Sequence, residues 1–468
     1  MATNRMRWGG LVLSALALAT PARAELLYFK DGGRLHVAAE VLDGQVRVKG
    51  ATEDYLFPTE DFLEIVPGHD PEREWKARRE TALASGPEVR FAAACWAIEN
   101  GLIPEAVAML RATHAADRAH QPTARLVALL DRLDPPSPDP DPFSLLKSIG
   151  VPLDRTSSRH IVLYHETTRE QAEARLDMLE RVLTAFYLVL TADGFELEPP
   201  DEKLVFVALR DQSDYLAFLR SQRAGAFSTT YGYYHPAYRA VITFDLRTAP
   251  RWASAYQSLE RMRSRVPFAL TSPTALSDPR MRNLQRRRLL QEMEIRANAD
   301  GTAAHELVHA LTRASGLAPT PEVFPHWLHE GLAAQFEVVR GGRWAGVGQP
   351  HDLRLSDWRK VEPAPNLDGL IRDRGFGHGY QSGLYARSWA LVQFLRSAHS
   401  SQFLKFLQLL RSPPDKPGSP RFATCFLSVF GSDLDEFETD WTRFFEDIHT
   451  PLEDFAPKNS SGSPDARD

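Results

Sequence analysis

Cysteine is nearly absent from this sequence. Its 468 residues hold only two, Cys95 and Cys425, far apart along the chain. At most one disulfide can form, which excludes a disulfide-framed scaffold, and two unpaired thiols are the simpler reading. An excess of charge of one sign is missing too. The 55 Lys and Arg face 61 Asp and Glu, a net charge of -6, which removes any chain-wide basic surface for nucleic acid or an anionic membrane. No apolar run reaches the roughly 20 residues that a membrane-spanning helix needs. There is no glycine loop ending in Lys-Ser or Lys-Thr and no serine nucleophile elbow, so nucleotide-phosphate and serine-hydrolase chemistries drop out. What remains is ordinary. With 43% hydrophobic and 25% charged residues the chain is globular, and about 150 residues per domain predicts roughly three modules.

Residues 1–24 read as a secretory signal: Arg5 and Arg7 precede the apolar stretch Leu11 to Ala19, and Ala22-Arg23-Ala24 is a small-x-small cleavage site. No cysteine lies beside it to carry a lipid anchor. The expectation is an exported protein, periplasmic or extracellular, with no integral membrane span after cleavage and no nucleic-acid partner.

Residues 25–67 alternate apolar and polar positions between turn signals such as Lys30-Asp31-Gly32-Gly33 and Leu42-Asp43-Gly44-Gln45, which predicts a small β-barrel-like module. From 70 to 134 the period becomes helical, with Ala92, Cys95, Trp96 and Ile98, then Ala106, Met109 and Leu110, recurring at three- and four-residue steps. The alternating prolines of 135–142 predict a stiff, extended linker. Residues 143–456 then form the largest unit. Strands are expected at His160 to Tyr164, Lys203 to Leu209 and Ala240 to Phe244, helices from Arg169 to about Leu190 and from Ser213 to Arg220, a turn at Gly232-Tyr233-Tyr234-His235-Pro236, and a helical half beyond. The tail, 457–468, is polar and rich in Gly, Ser and Pro, as disordered segments are. The fold class is thus α+β and multidomain, a mixed sheet followed by a helical half.

One motif carries chemistry. In His305-Glu306-Leu307-Val308-His309 two histidines four residues apart share a helix face and can grip one metal ion, with Glu306 beside them. Asp300 or Thr302 is the expected start cap of that helix and Gly316 its end. A hydrolytic zinc site needs a third protein ligand. Glu330, in a second helix opened by Pro325 and ended by Gly341-Gly342, is the best candidate, with His326 and His329 as competitors. Gly331 and Ala334 beside it would let the two metal helices approach closely. The basic run Arg280, Arg282, Arg286, Arg287 and Arg288 reads as a solvated helix face, since acids follow at Glu292 and Glu294.

This motif, together with Trp327-Leu328-His329-Glu330-Gly331-Leu332-Ala333, resembles the gluzincin clan of zinc metallopeptidases, most of all the peptidase MA-like group of exported bacterial proteins carried under an uncharacterised-domain label. The likeness runs from about Ser158 to Ile448 and includes Tyr385-Ala386-Arg387-Ser388-Trp389-Ala390-Leu391. It implies one zinc ion per chain on His305, His309 and Glu330, with Glu306 transferring protons during hydrolysis of a peptide or protein substrate. Clan members also use a Tyr or His toward the oxyanion. Tyr385 resembles that position, and Tyr380 and His378 are alternatives. The strand Ala240 to Phe244 is either the edge along which such enzymes align extended peptide or a buried member of the sheet. Upstream, Cys95 to Leu102 with Pro104-Glu105-Ala106 resembles a tetratricopeptide unit, and the modules before the linker are expected to meet a protein partner. The competing reading is a catalytically silent gluzincin-like scaffold acting through those modules.

Overall fold

The computed structural model describes residues 23–42, 44–50, 53–360, 366–376, 381–412 and 421–454. The signal sequence up to residue 22, the 457–468 tail, His378 and Tyr380 lie outside these.

Strands β1 (Arg23–Phe29), β2 (Arg34–Leu42), β3 (Gln45–Lys49), β4 (Asp54–Pro58) and β5 (Phe62–Pro67) form an antiparallel sheet in the order β4-β3-β2-β1-β5. Alternate residues Leu27, Phe29, Val46, Val48, Tyr55 and Phe57 turn inward, as the two-residue period of a strand requires. Four helices follow: α1 (Pro71–Leu83), α2 (Pro87–Glu99), α3 (Ile103–Ala116) and α4 (Gln121–Leu133). Each carries proline in its first turn, where the missing N–H costs nothing. Gly101, at φ 72°, makes the α2–α3 turn.

The proline segment after α4 is extended but not free. Ser137 is buried, donating its N–H to the Arg159 carbonyl and its hydroxyl to Pro200, while Asp139 pairs with Arg155 and Lys203. Helices α1 to α4 share one continuous core with the rest of the chain, from Trp75 to Phe445.

Beyond α5 (Phe143–Ile149) lies a mixed sheet of β6 (Asp154–Ser157), β7 (Ile161–His165), β8 (Leu204–Leu209), β9 (Gly232–His235) and β10 (Ala240–Phe244), ordered β6-β7-β8-β10-β9. β7, β8 and β10 run parallel; β9 is antiparallel to β10. Two expectations change here. Gly232 to His235 is a strand rather than a turn, the reversal being Pro236 to Arg239 with Arg239 at φ 50°. Ala240 to Phe244 is flanked on both sides, so β9 is the edge. One face of the sheet is covered by α6 (Arg169–Ala192) and the other by α7 (Gln212–Ser221).

After α8 (Pro250–Ser264) and α9 (Pro273–Ser277), the 36-residue α10 (Pro279–Ala314) is the spine of the molecule. It starts more than twenty residues before the expected cap: Asp278 accepts from the Arg280 N–H, and Asp300 instead pairs with Arg175 and Arg296. The arginine run is not a solvated face. Arg282 meets Glu60 and Asp61, Arg286 meets Asp31, and the buried Arg288 bridges Glu53 and Glu260. Leu289 enters the core of the N-terminal sheet, and Gln285 accepts from the Leu56 N–H on β4, covering that sheet edge. Sequence could not show that all but one of the acids paired with this run stand more than 200 residues upstream.

The remaining elements are α11 (His326–Ala334), the hairpin β11 (Val339–Arg340) and β12 (Arg343–Trp344), α12 (Asp352–Arg359), α13 (Leu367–Ile371), α14 (Ser382–Ala398), α15 (Ser400–Arg411), α16 (Arg421–Phe430), α17 (Leu434–Phe444) and α18 (Pro451–Asp454). Gly341 and Gly342, both at positive φ, form the hairpin turn and do not end α11, which stops at Ala334. No helix among the described residues is long and apolar enough to cross a membrane.

Candidate metal centre

The C-terminal half of α10 buries Ala303, Ala304, Leu307, Val308 and Leu311 in the main core, which fixes the rotation of the helix and sends His305 and His309 to the other side. Pro325 precedes α11, and Asp373, at φ 60°, accepts the His326 and Trp327 N–H groups at its start. Trp327 anchors that helix against Phe406 and Phe426. Glu330 then faces α10. His305 Nε2 lies 3.0 Å from His309 Nε2 and 3.1 Å from Glu330 Oε2, and His309 Nε2 is 3.7 Å from Glu330 Oε1. The three residues offer ligand atoms within 4.8 Å of one another, a group that could hold a metal ion.

The donor set suits a cation. Tetrahedral zinc with nitrogens at 2.0–2.1 Å sets neighbouring ligand atoms about 3.3 Å apart, close to the spacing found. His305 Nδ1 is tied to Glu337 Oε1 at 2.5 Å, so in the neutral ring the Nε2 lone pair points at the other two ligands. Burial alone would lower the His305 pKa, but Glu337 and Glu330 outweigh it and hold the ring protonated, up to about 10. Burial dominates at His309, lowered to about 3 and so a neutral donor. The site wants one positive charge among its three donors.

Glu337 was not singled out in the sequence. It is buried, accepts from Arg354 at 2.9 to 3.2 Å and contacts His351 Nε2 at 3.1 Å. Burial would raise its carboxyl, but Arg354 and His305 keep it well below the ordinary glutamate range. Gly301 lets it reach: a Cβ there would stand 2.7 Å from the Glu337 carbonyl oxygen, so the segment between α11 and β11 crosses α10 in backbone contact, one turn before His305. An acid inside the apolar run Phe336-Glu337-Val338-Val339 was the one signal; no spacing rule links it to His351 and Arg354.

The competitors fall away from the group. His326 is mostly exposed, with Nδ1 2.7 Å from Asp373 and its ring stacked on Phe376. His329 Nε2 lies 3.2 Å from the Pro321 carbonyl. Tyr385, on α14, sits under the Arg354 guanidinium at 5.4 Å and beside Phe376. Its ring backs the residue that holds Glu337.

Glu306 turns toward β9. Its Oε2 accepts the Tyr234 N–H at 2.8 Å, an edge-strand donor directed away from β10. Gly232 permits this approach, since a Cβ would lie 2.8 Å from Thr302 Cγ2 and 3.1 Å from Glu306 Cγ. Burial lifts the Glu306 carboxyl to about 7, with Glu330 and Glu337 adding to the rise and His305 and the Tyr234 N–H opposing it.

Residues 300–415 match the family model described as a protein of unknown function (DUF1570). The match takes in the metal half of α10, all of α11, Glu337, Arg354 and α14. No curated protein matches the chain.

Proposed function

We propose that this chain is an exported, zinc-dependent metallopeptidase of gluzincin type, with zinc on His305, His309 and Glu330. The observation that carries the reading is the joint placement of a two-His, one-Glu group and a second carboxylate outside that group, Glu306, against the backbone of an edge strand. A zinc ion in a three-ligand site activates water and polarises a carbonyl.

The chain's own residues do the rest. Glu306, with a pKa near neutrality, accepts the water proton at a carboxylate oxygen and delivers it to the leaving amine nitrogen. β9 offers its outward main-chain groups to an extended peptide, which orients the scissile bond beside Glu306. Glu337 fixes the His305 tautomer, and Arg354 and His351 hold Glu337 in place. Tyr385 remains the proposed oxyanion donor, reached through movement of its hydroxyl toward the cleft.

The test is zinc stoichiometry with peptide-library hydrolysis. Wild type is expected to hold one zinc and cleave. His305→Ala and Glu330→Ala lose the metal, and Glu306→Gln keeps it while cleavage falls at least 100-fold. Absence of bound metal would overturn the proposal. Metal without cleavage of any peptide favours the silent scaffold, whose N-terminal sheet and helices would then supply the function.

A further inference from the structure

Arg313 stands one turn beyond His309 and two turns beyond Glu306 on the same face of α10. The other arginines of this helix from Arg282 to Arg296 that face a neighbour are ion-paired, namely Arg282, Arg286, Arg288 and Arg296. Arg313 is half-buried, and among the described residues its guanidinium makes no ion pair or side-chain hydrogen bond. Glu322 feels its charge but is not in contact. A half-buried guanidinium without an acid is a ready carboxylate receptor, because its fork matches both oxygens.

Its neighbour defines the direction. Tyr234 shares with Gly232 the face of β9 that meets α10. Its phenol, raised by burial, feels Arg313 and then Arg239 in the opposite sense. The Tyr234 N–H meets Glu306, and its side chain lies on the strand face turned to α10. Glu306 and Arg313 thus lie on one face of α10, with Tyr234 of the edge strand set against Glu306. Along the helix axis Glu306 and Arg313 are about 10 Å apart, the span of about three extended residues.

We infer that Arg313 is a specificity residue that binds a carboxylate two to three residues from the scissile bond, so that the preferred substrates are peptides carrying a terminal or side-chain carboxylate at that distance. The inference rests on the peptidase reading for its turnover arm and on binding alone for the other.

Three fluorescent peptides of one sequence are compared: a free C-terminal carboxylate, a C-terminal carboxamide, and a carboxamide with an acidic side chain in the last position. Wild type, Arg313→Gln and Arg313→Lys are measured for kcat and KM, and for anisotropy binding to the zinc-loaded chain. In wild type one or both carboxylate peptides bind at least tenfold tighter than the neutral one, and which of them does so identifies the source. In Arg313→Gln that preference disappears through KM while the neutral peptide is handled as before, and Arg313→Lys restores part of it. A cation acting only on the helix C-terminus would affect all three peptides alike. Equal binding of the three peptides by wild type, or a preference that survives Arg313→Gln, overturns the inference. If no peptide is cleaved but the binding preference appears and is lost in Arg313→Gln, the subsite stands and only the hydrolytic reading fails.

Discussion

Gly331 and Ser388 mark the closest approach of α11 to α14: a Cβ on Gly331 would run into the Ser388 carbonyl oxygen and come within 2.6 Å of Val392 Cγ2. The small residue beside Glu330 therefore serves the helix behind the site, whereas its expected partner was the other metal helix. Gln335 reinforces the seam, its side-chain amide donating to Gly331 and Trp389 carbonyls.

Gly331→Ala is accordingly expected to force α11 away from α14 and carry Glu330 with it. A backbone carbonyl cannot rotate aside as a side chain can. The cost is expected at about 1–3 kcal/mol, read as a fall of several degrees in the midpoint of thermal unfolding, together with weaker metal retention against a chelator. Unchanged stability and metal content would contradict the packing described.

Glu337→Gln should keep the volume but remove the charge that orients His305. Metal affinity is expected to fall 10- to 100-fold, measured by chelator competition, and Arg354 is left buried without its carboxylate, which also lowers stability. Arg354→Ala should reproduce the affinity loss in milder form, since the His305–Glu337 contact itself survives.

Arg288→Ala tests the joint between the N-terminal sheet and the spine helix. Arg288 is 9% exposed and holds both Glu53 and Glu260. Removing it leaves Glu260 without this partner and Glu53 with Arg263 alone, a loss expected at about 1–3 kcal/mol. Limited proteolysis should then release the first 67 residues faster than in wild type, with the metal group intact.

Acid stability should depend on Glu180, which accepts from Ser158 Oγ and the His160 N–H and contacts His160 Nδ1. Burial alone would raise its pKa; the hydrogen bonds from His160 and Ser158 exceed that and hold it below the ordinary range. A depressed folded pKa means stabilisation that is full above the unfolded value and lost as pH falls through the folded one. His160 Nε2 also meets the Leu133 carbonyl at the end of α4, so this loss loosens the helical segment. In Glu180→Gln the decline of the unfolding midpoint between about pH 5 and pH 3 should be shallower than in wild type, from a lower plateau at neutral pH.

Local signals alone were enough for much of this protein. The strand Ala240 to Phe244, the helix opening at Arg169, the end of the metal helix at Gly316 and the pair His305 and His309 are all written in periodicity, caps and i, i+4 spacing, which act over a few residues, whereas Glu330 was one of three candidates until the fold set it beside the pair. The order of strand and helix patterns also placed the chain among mixed α+β folds. The tertiary structure alone decided what those elements meet. A basic run cannot reveal that most of its acids lie on a β-module more than 200 residues away, and a glycine's spacing does not say which helix will press on it. Nor does any local rule pair Glu337 with His305, or set Tyr234 on an edge strand against Glu306. Burial and long-range packing make these contacts, and they join a motif on one helix to groups far from it in the sequence.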